Sequence, residues 1–281
     1  MTGTLWVVAT PIGNLADASE RALEALRQVD VIACEDTRVT RTLLARFGID
    51  TPTTALHEHN EREASAELVR RLRAGETVAL VSDAGTPGVS DPGAFLVGQA
   101  HASGVRVSPV PGPSAAAAAI SVAGFPSAQF HFAGFLPASP AGRRKALETL
   151  DLPVPLVLYE APHRIARAVA DLLERFGPER EVVIGRELSK KFEEVARLRL
   201  GDAEAWLDGA PHRKQGEFVL VVAPGSERPA RAAAPDGEQV LGILLESLTP
   251  SEAAWVAARI SGEPKNVLYQ KALASRKKPR K

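Results

Sequence analysis

The stretch LVSDAGTPGVSDPG, residues 80–93, carries three glycines, two prolines and two aspartates directly after an apolar run. An ordinary surface turn needs only about two such residues. Glycine permits backbone conformations that a side chain would block, so we expect main-chain groups near Gly85, Gly88 and Gly93 to lie against a flat ligand. Asp83 supplies an acceptor that would orient this ligand through a hydroxyl or amino group. The alternative is a tight loop that binds nothing.

Three further loops of unusual composition follow predicted strands in the first half of the chain. They read ATPIGNL, CEDTR and PGPSAAAA, after the first, second and fifth strands, while the stretch above follows the fourth. Ligands of open parallel sheets bind outside the carboxyl ends of the strands. The four loops therefore predict a ligand site at one edge of one sheet.

The elements that must position these loops alternate between apolar, β-branched runs and helical patterns. This βα alternation predicts an α/β fold with a largely parallel sheet covered by helices on both faces. A second α/β unit of similar size begins near Gln129 and ends in strands close enough to pair as antiparallel neighbours. The predicted organisation is an N-terminal α/β domain, a C-terminal α/β domain, a linker and a small helical extension with a basic tail, over residues 1–124, 125–224, 225–237 and 238–281.

Composition narrows the class of protein. With 45% hydrophobic and 24% charged residues, the chain matches soluble globular proteins. Cys34 is the single cysteine, so no intrachain disulfide forms, and this fits a reducing cytoplasm. The amino terminus has no basic leader, and its apolar run has only the length of a strand, so neither a signal peptide nor a membrane span is expected. Net charge is zero, but the tail at 271–281 has six basic residues and no acidic one, which predicts either a solvated end or a contact with phosphates.

Six motifs, read in order between residue 4 and about residue 223, resemble the tetrapyrrole-methylase superfamily. They are ATPIGNLAD, CEDTR, SDAGTPGVSDPG, PVPGPSA, YEAPHR and GRELSKKFEE. More narrowly, they are similar to the bacterial branch that methylates the 2′-hydroxyl of a cytidine in small-subunit (16S) ribosomal RNA. Members that modify tetrapyrroles carry a G-x-G-x-G-D loop after the first strand, whereas this chain has TPIGN with Pro11 and Gly13. That departure makes a porphyrin or corrin substrate less expected.

The resemblance implies an S-adenosylmethionine-dependent methyltransferase of two α/β domains that works as a homodimer, with the cofactor in the cleft between the domains and no metal. It also implies a helix-turn-helix-like extension at the carboxyl end. The cofactor-binding residues implied by motif matching are Pro11, Asp83, Ala84, Gly85, Val89, Ser114, Ala115, Phe135, Leu136, Ala161 and Pro162.

A ribose hydroxyl is a poor acid, so a base or a stabilising cation is expected close to it. The candidates are Glu35, Asp36 and Arg38 in CEDTR, and Glu160, His163 and Arg164 in YEAPHR. The alternative for CEDTR is a helix-capping aspartate with solvated neighbours, and for His163 a residue of a helical turn. No pattern singles out one base, and catalysis by positioning alone stays open.

RNA requires a basic surface, and residues of the stretches GRRKAL, YEAPHR and GRELSKKFEE supply one. The predicted RNA-binding residues are Arg143, Arg144, Lys145, Arg164, Arg186, Lys190 and Lys191. Glutamates lie among the basic residues of GRELSKKFEE, so ordinary surface ion pairing is the alternative for Arg186, Lys190 and Lys191. Two other functions stay open: a small-molecule methyltransferase of the tetrapyrrole type, and a non-catalytic nucleotide- or RNA-binding module that keeps the fold.

Overall fold

A computed structural model describes residues 2–225 and 236–276. They fall into two compact units, one within residues 1–225 and one within residues 226–281. Most of the predicted linker, and the basic residues of the tail beyond 276, lie outside the described residues. Of the described helices, none is long and apolar enough to cross a membrane.

The first sheet is formed by five parallel strands, which confirms the predicted α/β class. They are β1 (Thr4–Val8), β2 (Val31–Cys34), β3 (Thr53–Ala55), β4 (Val78–Leu80) and β5 (Arg106–Val110). The helices that follow them are α1 (Glu20–Gln28), α2 (Thr37–Arg46), α3 (Glu61–Arg73), α4 (Ala94–Ala102) and α5 (Ala115–Ala123). The strand order is β3-β2-β4-β1-β5, so the carboxyl ends of all five strands share one edge.

Successive residues of a strand point to opposite faces, and both faces of this sheet are covered. On one face, Leu80 and its alternate neighbours pack against Leu68 and Leu96 of α3 and α4. On the other, Ile32 and its neighbours pack against Leu26 and Leu44 of α1 and α2. Helices therefore cover both faces of the parallel sheet, as predicted.

The second sheet has mixed direction. Its strands are β6 (His131–Phe135), β7 (Leu156–Glu160), β8 (Glu181–Arg186), β9 (Glu194–Arg199) and β10 (Phe218–Val222), in the order β6-β7-β10-β8-β9. Only β6 and β7 run parallel, and the pairs made by β10 and by β8 with β9 are antiparallel, as the sequence predicts. Helices α6 (Pro140–Glu148), α7 (Ile165–Phe176) and α8 (Leu200–Asp208) pack on one face of it.

Two features of this half differ from the sequence interpretation. The run ARLRLG reads as a strand throughout, but the chain turns into α8 at Leu200, because Leu200, Ala203 and Leu207 form a helical apolar stripe. Helix α5, assigned to the first predicted domain, packs its buried alanines on the free face of the second sheet, against Val157 and Val221. The domain boundary at residue 124 stays a prediction.

The second unit consists of three helices with a core of their own. Helices α9 (Gly237–Leu244), α10 (Pro250–Ser261) and α11 (Lys265–Arg276) bury Leu241 and Leu268 together with alanines of α10 and α11. Thr249 and Glu252 form a capping box that begins α10. The predicted short helices of the carboxyl end are confirmed for the described part of the chain.

One predicted RNA-binding residue is part of the core instead. Arg143 is only 3% exposed, and its Nε donates a short hydrogen bond to Asp171 of α7. Arg143 lies four residues before the buried Leu147, so both point to the inner face of α6. Its assignment to a solvent-facing basic patch is wrong, because phosphates cannot reach a guanidinium enclosed between two helices.

We expect Arg143→Ala to destabilise the fold strongly, by about 3–5 kcal/mol, because it leaves the buried Asp171 carboxylate with only the more distant Arg144 at 3.8 Å. Urea unfolding measures this loss. The matched control is Arg144→Ala, since the Arg144 side chain is 54% exposed and its nearest carboxylate contact is 3.8 Å. That change should cost less than about 1 kcal/mol. Equal effects of the two substitutions would contradict a structural role for Arg143.

Candidate active site

A cavity of about 430 Å³ lies where the loops at the carboxyl edge of the first sheet meet the second sheet. The first sheet contributes lining residues from the loops after β1, β4 and β5: Ile12, Asp83, Ala84, Gly85, Thr86, Val89, Ser90, Asp91, Ser114 and Ala115. The second sheet contributes Phe135, Tyr159, Glu160, Ala161, Pro162, Leu188, Glu217, Phe218 and Val219. Loops from non-consecutive parts of the chain thus enclose one space.

Hydrogen bonds between the loops fix the first-sheet wall. The Thr10 N–H donates to the Gly85 carbonyl at 2.8 Å, and the Gly85 N–H donates to the Thr10 carbonyl at 3.1 Å. The Thr10 hydroxyl also donates to the Ser82 carbonyl, and Thr86 donates to the Pro113 carbonyl at 3.0 Å. The loops after β1, β4 and β5 are therefore tied to one another through backbone groups.

The three glycines of residues 80–93 have different reasons to be glycine. Gly85 lines the cavity at φ +89°, and an added Cβ would make only ordinary contact with Ile12 at 3.5 Å, so its backbone angle requires glycine. Gly93 packs on Leu80, where a Cβ would lie 2.6 Å from the Leu80 Cδ2. Gly88, at φ +77°, has open space and is not part of the cavity wall. Only Gly85 thus fits the expected close approach to a ligand.

Asp91 is a cavity residue that the sequence prediction did not include. Its pKa is raised to about 6, mainly by burial and in addition by the nearby carboxylates of Glu35 and Asp83, against a hydrogen bond with Ser82 that lowers it. Ser90, beside it, has φ +65°, an unusual value for a residue with a side chain. The signal available in the sequence was a second aspartate in the same glycine-rich loop.

Two aromatic rings of the second-sheet wall, those of Phe135 and Tyr159, lie next to each other. The Tyr159 hydroxyl accepts a hydrogen bond from the Ala116 N–H at the start of α5, at 3.1 Å, and burial raises the pKa of Tyr159. Phe135 packs edge-on against this ring with 5.6 Å between centroids, and it is 54% exposed. Beside them, the Glu160 carboxylate accepts a hydrogen bond from the Ala161 N–H at 2.8 Å and forms an ion pair with Arg164 at 3.0 Å. This wall combines an apolar surface with one fixed carboxylate.

The cavity brings together nine of the eleven residues predicted to bind the cofactor, all except Pro11 and Leu136. Leu136 is buried, and its carbonyl accepts a hydrogen bond from Arg164 at 2.5 Å. Of the predicted catalytic residues, Glu160 lines the cavity, and the exposed His163 does not. The structure therefore places nine predicted cofactor residues and Glu160 in the cavity wall, and Pro11, Leu136 and His163 outside it.

The CEDTR residues lie next to the cavity wall rather than in it. Asp36 caps α2 by accepting a hydrogen bond from the Arg38 N–H at 2.8 Å, and the Arg38 side chain holds the pKa of Asp36 at about 2. The Asp36 N–H in turn donates to the Asp83 carboxylate at 3.1 Å. The capping alternative for Asp36 is confirmed. Glu35 is half-buried, and burial and Asp83 raise its pKa.

The other basic residues predicted to bind RNA lie in three environments: buried, ion-paired and exposed. Arg186 is buried and donates to the carbonyls of Gln215 and Phe192, both at 2.8 Å, so its assignment to a surface patch is also wrong. Lys190 forms ion pairs with Glu187 at 2.9 Å and Glu217 at 3.0 Å, as the ion-pairing alternative expects. The exposed residues among the seven are Arg144, Lys145 and Lys191.

Comparison with known proteins agrees with this architecture. Residues 4–204 match the sequence model of the Tetrapyrrole (Corrin/Porphyrin) Methylases. The chain belongs to this family. Residues 231–276 match a second model, described as the RsmI C-terminal HTH domain.

Similar curated proteins carry one name. The chain is 50% identical to "Ribosomal RNA small subunit methyltransferase I" of Pseudomonas aeruginosa, over 96% of this chain and 97% of that protein. It is 44% identical to the protein of the same name from Escherichia coli O157:H7, over 96% and 95% of the two chains.

Solved structures show the same fold at lower identity. A uroporphyrin-III-C-methyltransferase from Thermus thermophilus superposes with a TM-score of 0.55 at 24% identity, over 79% of this chain and 94% of that one. A diphthine synthase superposes with a TM-score of 0.58 at 21% identity, over 78% and 89%. These matches confirm the predicted α/β fold of the family.

Asp91→Asn should stabilise the protein at pH 7.5 but not at pH 4. A carboxyl whose pKa is raised to about 6 by folding holds its proton longer in the native state, so its ionisation lowers stability as the pH rises from about 4 to about 6. Because Asp91 is only half-buried, we expect a gain of about 1–2 kcal/mol rather than the full value of the pKa shift. Urea unfolding at the two pH values measures it, with the exposed Asp50→Asn as control. A gain at both pH values would contradict the titration of Asp91.

Proposed function

We propose that this protein is an S-adenosylmethionine-dependent methyltransferase that methylates the ribose 2′-hydroxyl of a cytidine in small-subunit ribosomal RNA. The observation that carries the proposal is that nine of the eleven predicted cofactor residues line one cavity. The common name of relatives such as those of Pseudomonas aeruginosa and Escherichia coli supports the ribosomal substrate. The target is then the small ribosomal subunit, the working unit a homodimer, and the compartment the cytoplasm.

The cavity fits the proposed cofactor in size and chemistry. Its volume of about 430 Å³ lies within the range of small-molecule pockets. The rings of Phe135 and Tyr159 and the carboxylates of Asp83 and Asp91 suit a ligand with a positively charged sulfonium, because ring faces and carboxylates both attract cations. The Ala116 N–H donates to Tyr159 and the Ala117 N–H to Ser114, so it is the positive end of the α5 dipole that suits the negative end of the same ligand. When bound, S-adenosylmethionine supplies an electrophilic methyl group.

Asp91 has the properties of the proton acceptor for the ribose hydroxyl. A general base works best when its pKa lies near the working pH, and a pKa of about 6 leaves Asp91 mostly ionised at neutral pH. Glu160 is a weaker candidate, because its carboxylate is already held by the Ala161 N–H and by Arg164. In this proposal Asp91 takes the proton while the tied loops hold the reacting groups in line and restrict water.

A small-molecule methyltransferase of the tetrapyrrole type is the second candidate. The family description favours it in general terms. The TPIGN loop after β1 and the helical unit over residues 236–276 favour RNA instead.

Methyl transfer from labelled cofactor to small ribosomal subunits, with uroporphyrinogen as the competing substrate, tests the proposal. We expect label in the RNA as 2′-O-methylcytidine and none in the tetrapyrrole. Gly85→Val should abolish both cofactor binding and transfer, because valine at φ +89° deforms the cavity loop. Gly104→Val is the matched control, since Gly104 has a similar φ of +68° outside the cavity. Equal cofactor affinity in these two variants, or label in the tetrapyrrole alone, would refute the proposal.

The exposed lysines lead to a separate prediction about the salt dependence of RNA binding. Replacing Lys145 and Lys191 by Ala should make the affinity for small subunits less dependent on salt. In a plot of the logarithm of the binding constant against the logarithm of the salt concentration, the slope should become shallower by about 0.7–0.9 for each lost phosphate contact. Cofactor affinity, measured by titration calorimetry, should not change, because neither residue lines the cavity. Lys214→Ala is the control, since Lys214 already pairs with Asp208. An unchanged slope in the double variant would show that neither lysine contacts the RNA phosphates.

A further inference from the structure

Helix α4 begins directly after the glycine-rich loop and has no capping side chain of its own. Its N-cap residue is Gly93, at φ +120°, and a Cβ added there would lie 2.6 Å from the Leu80 Cδ2. Helices are ordinarily capped at this position by a serine, threonine, aspartate or asparagine, whose oxygen accepts a hydrogen bond from the first N–H groups. The backbone angle of Gly93 and its close packing on Leu80 disfavour any such side chain here.

Glu61, the first residue of α3, supplies the missing acceptor. Its Oε1 accepts a hydrogen bond from the Gly93 N–H at 2.7 Å and another from the Phe95 N–H at 3.3 Å. The Glu61 side chain is half-buried, and the helix dipole favours a carboxylate at the amino end of α4. One side chain of α3 therefore fixes the point at which the glycine-rich loop ends and α4 begins.

The glycine-rich loop is attached at its other end as well. There the backbone pair between Thr10 and Gly85 joins it to the loop after β1. The residues of the cavity wall that lie between Gly85 and Gly93 are Thr86, Val89, Ser90 and Asp91. The segment that carries them is thus held on one side by a neighbouring loop and on the other side by Glu61.

The backbone of this segment needs both attachments. Ser90 has φ +65°, and a residue with a side chain keeps such an angle only where the surrounding structure holds it. The Ser90 Oγ packs close to the second sheet, because a Cβ added to Gly134 of β6 would lie 2.9 Å from it. When the end of the segment at Gly93 is released, Ser90 can relax toward an ordinary angle, and Asp91, the next residue, moves with it.

We propose that Glu61 is a positioning residue for methyl transfer, which holds the end of the glycine-rich loop at Gly93 and thereby keeps Asp91 in the cavity wall. This inference rests on the proposed function, because Glu61 acts through Asp91 as the proton acceptor. Glu61 does not line the cavity itself. Its contribution is to the distance and direction of the Asp91 carboxylate, on which proton transfer depends.

Two substitutions separate the length of the Glu61 side chain from its charge. Glu61→Gln keeps an oxygen that can accept the same two hydrogen bonds, whereas Glu61→Asp keeps the charge on a side chain that is one methylene shorter. We expect Glu61→Gln to retain kcat for small subunits within about threefold at saturating cofactor, the effect of losing a charge at a helix end. Glu61→Asp should lower kcat roughly 5- to 30-fold, the range that corresponds to the loss of a helix cap. KM for small subunits should stay near the parent value, because the loop holds the proton acceptor rather than the RNA.

Glu63→Ala is the matched control for these variants. Glu63 lies in the same first turn of α3 but is exposed, so its removal takes away a similar charge without releasing Gly93. This variant should keep the parent's kcat. Equal losses in Glu61→Gln and Glu61→Asp, or a loss of the same size in Glu63→Ala, would overturn the inference.

Hydrogen exchange of the Gly93 and Phe95 amides, followed by NMR, tests the contact without any activity measurement. Both amides should exchange roughly 5- to 30-fold faster in Glu61→Asp than in the parent, because their acceptor has been withdrawn. In Glu61→Gln and Glu63→Ala the exchange rates should stay near those of the parent. Unchanged exchange in Glu61→Asp would contradict the capping contact.

A double-mutant cycle with Asp91 separates positioning from a general loss of structure. If Glu61 acts through Asp91, Glu61→Asp should lower kcat much less in an Asp91→Asn background than in the parent. The same fractional loss in both backgrounds would refute the positioning role. So would a loss in Glu61→Asp that disappears when the assay temperature is set well below its melting temperature, because that result indicates a purely structural residue.

The outcomes distinguish this inference from the proposed function. If the parent protein transfers no methyl group to small subunits, the proposed function fails, whereas hydrogen exchange still reports on the contact of Glu61 with Gly93. If the parent is active and Glu61→Asp speeds the exchange of Gly93 but keeps the parent's kcat, the positioning role is wrong and the proposed function stands.

Discussion

The pair of hydrogen bonds between Thr10 and Gly85 is the contact on which the cavity depends. It joins the loops after β1 and β4, two neighbouring strands whose loops would otherwise separate as they leave the sheet. Gly85 makes both bonds while its φ is +89°, which few residues other than glycine adopt without strain. Because Asp83 and Ala84 lie between this bridge and β4, their positions in the cavity wall follow from it. This pair of backbone hydrogen bonds outside the sheet therefore determines where the polar groups of the cavity wall lie.

The same arrangement concentrates negative charge. Asp83 is held by the Asp36 N–H, and burial together with the Asp83 carboxylate raises the pKa values of Glu35 and Asp91. Such a cluster lowers the stability of the empty site, since ionised carboxylates repel one another where water is partly excluded. It is favourable once a positive group is bound, and it raises the basicity of Asp91 toward neutral pH. The carboxylates that repel one another therefore also suit the site to a cationic ligand and to proton removal.

Local patterns were sufficient to predict the elements and the edge of the sheet on which the site lies. Alternation of apolar strands with amphipathic helices indicates a parallel sheet, and loops after parallel strands must share an edge. The side-chain environments were harder to predict. Arg143 and Arg144 are neighbours in sequence but about 100° apart around a helix, so one is buried and the other exposed. The four-residue spacing between Arg143 and the apolar Leu147 indicated that Arg143 faces inward. The interpretation of the motif as a basic patch did not use this spacing.

What the sequence could not provide was the order of the strands. Chain order places β2 before β3 and β4, whereas the sheet places β2 between them. Glu35, at the end of β2, therefore stands between the loop that carries His57 and the loop that carries Asp83 and Asp91. No local pattern shows that these three loops are neighbours, because helices separate them along the chain. Their neighbourhood is a property of the topology, and for this reason Asp91 becomes recognisable as a functional candidate only in the folded chain.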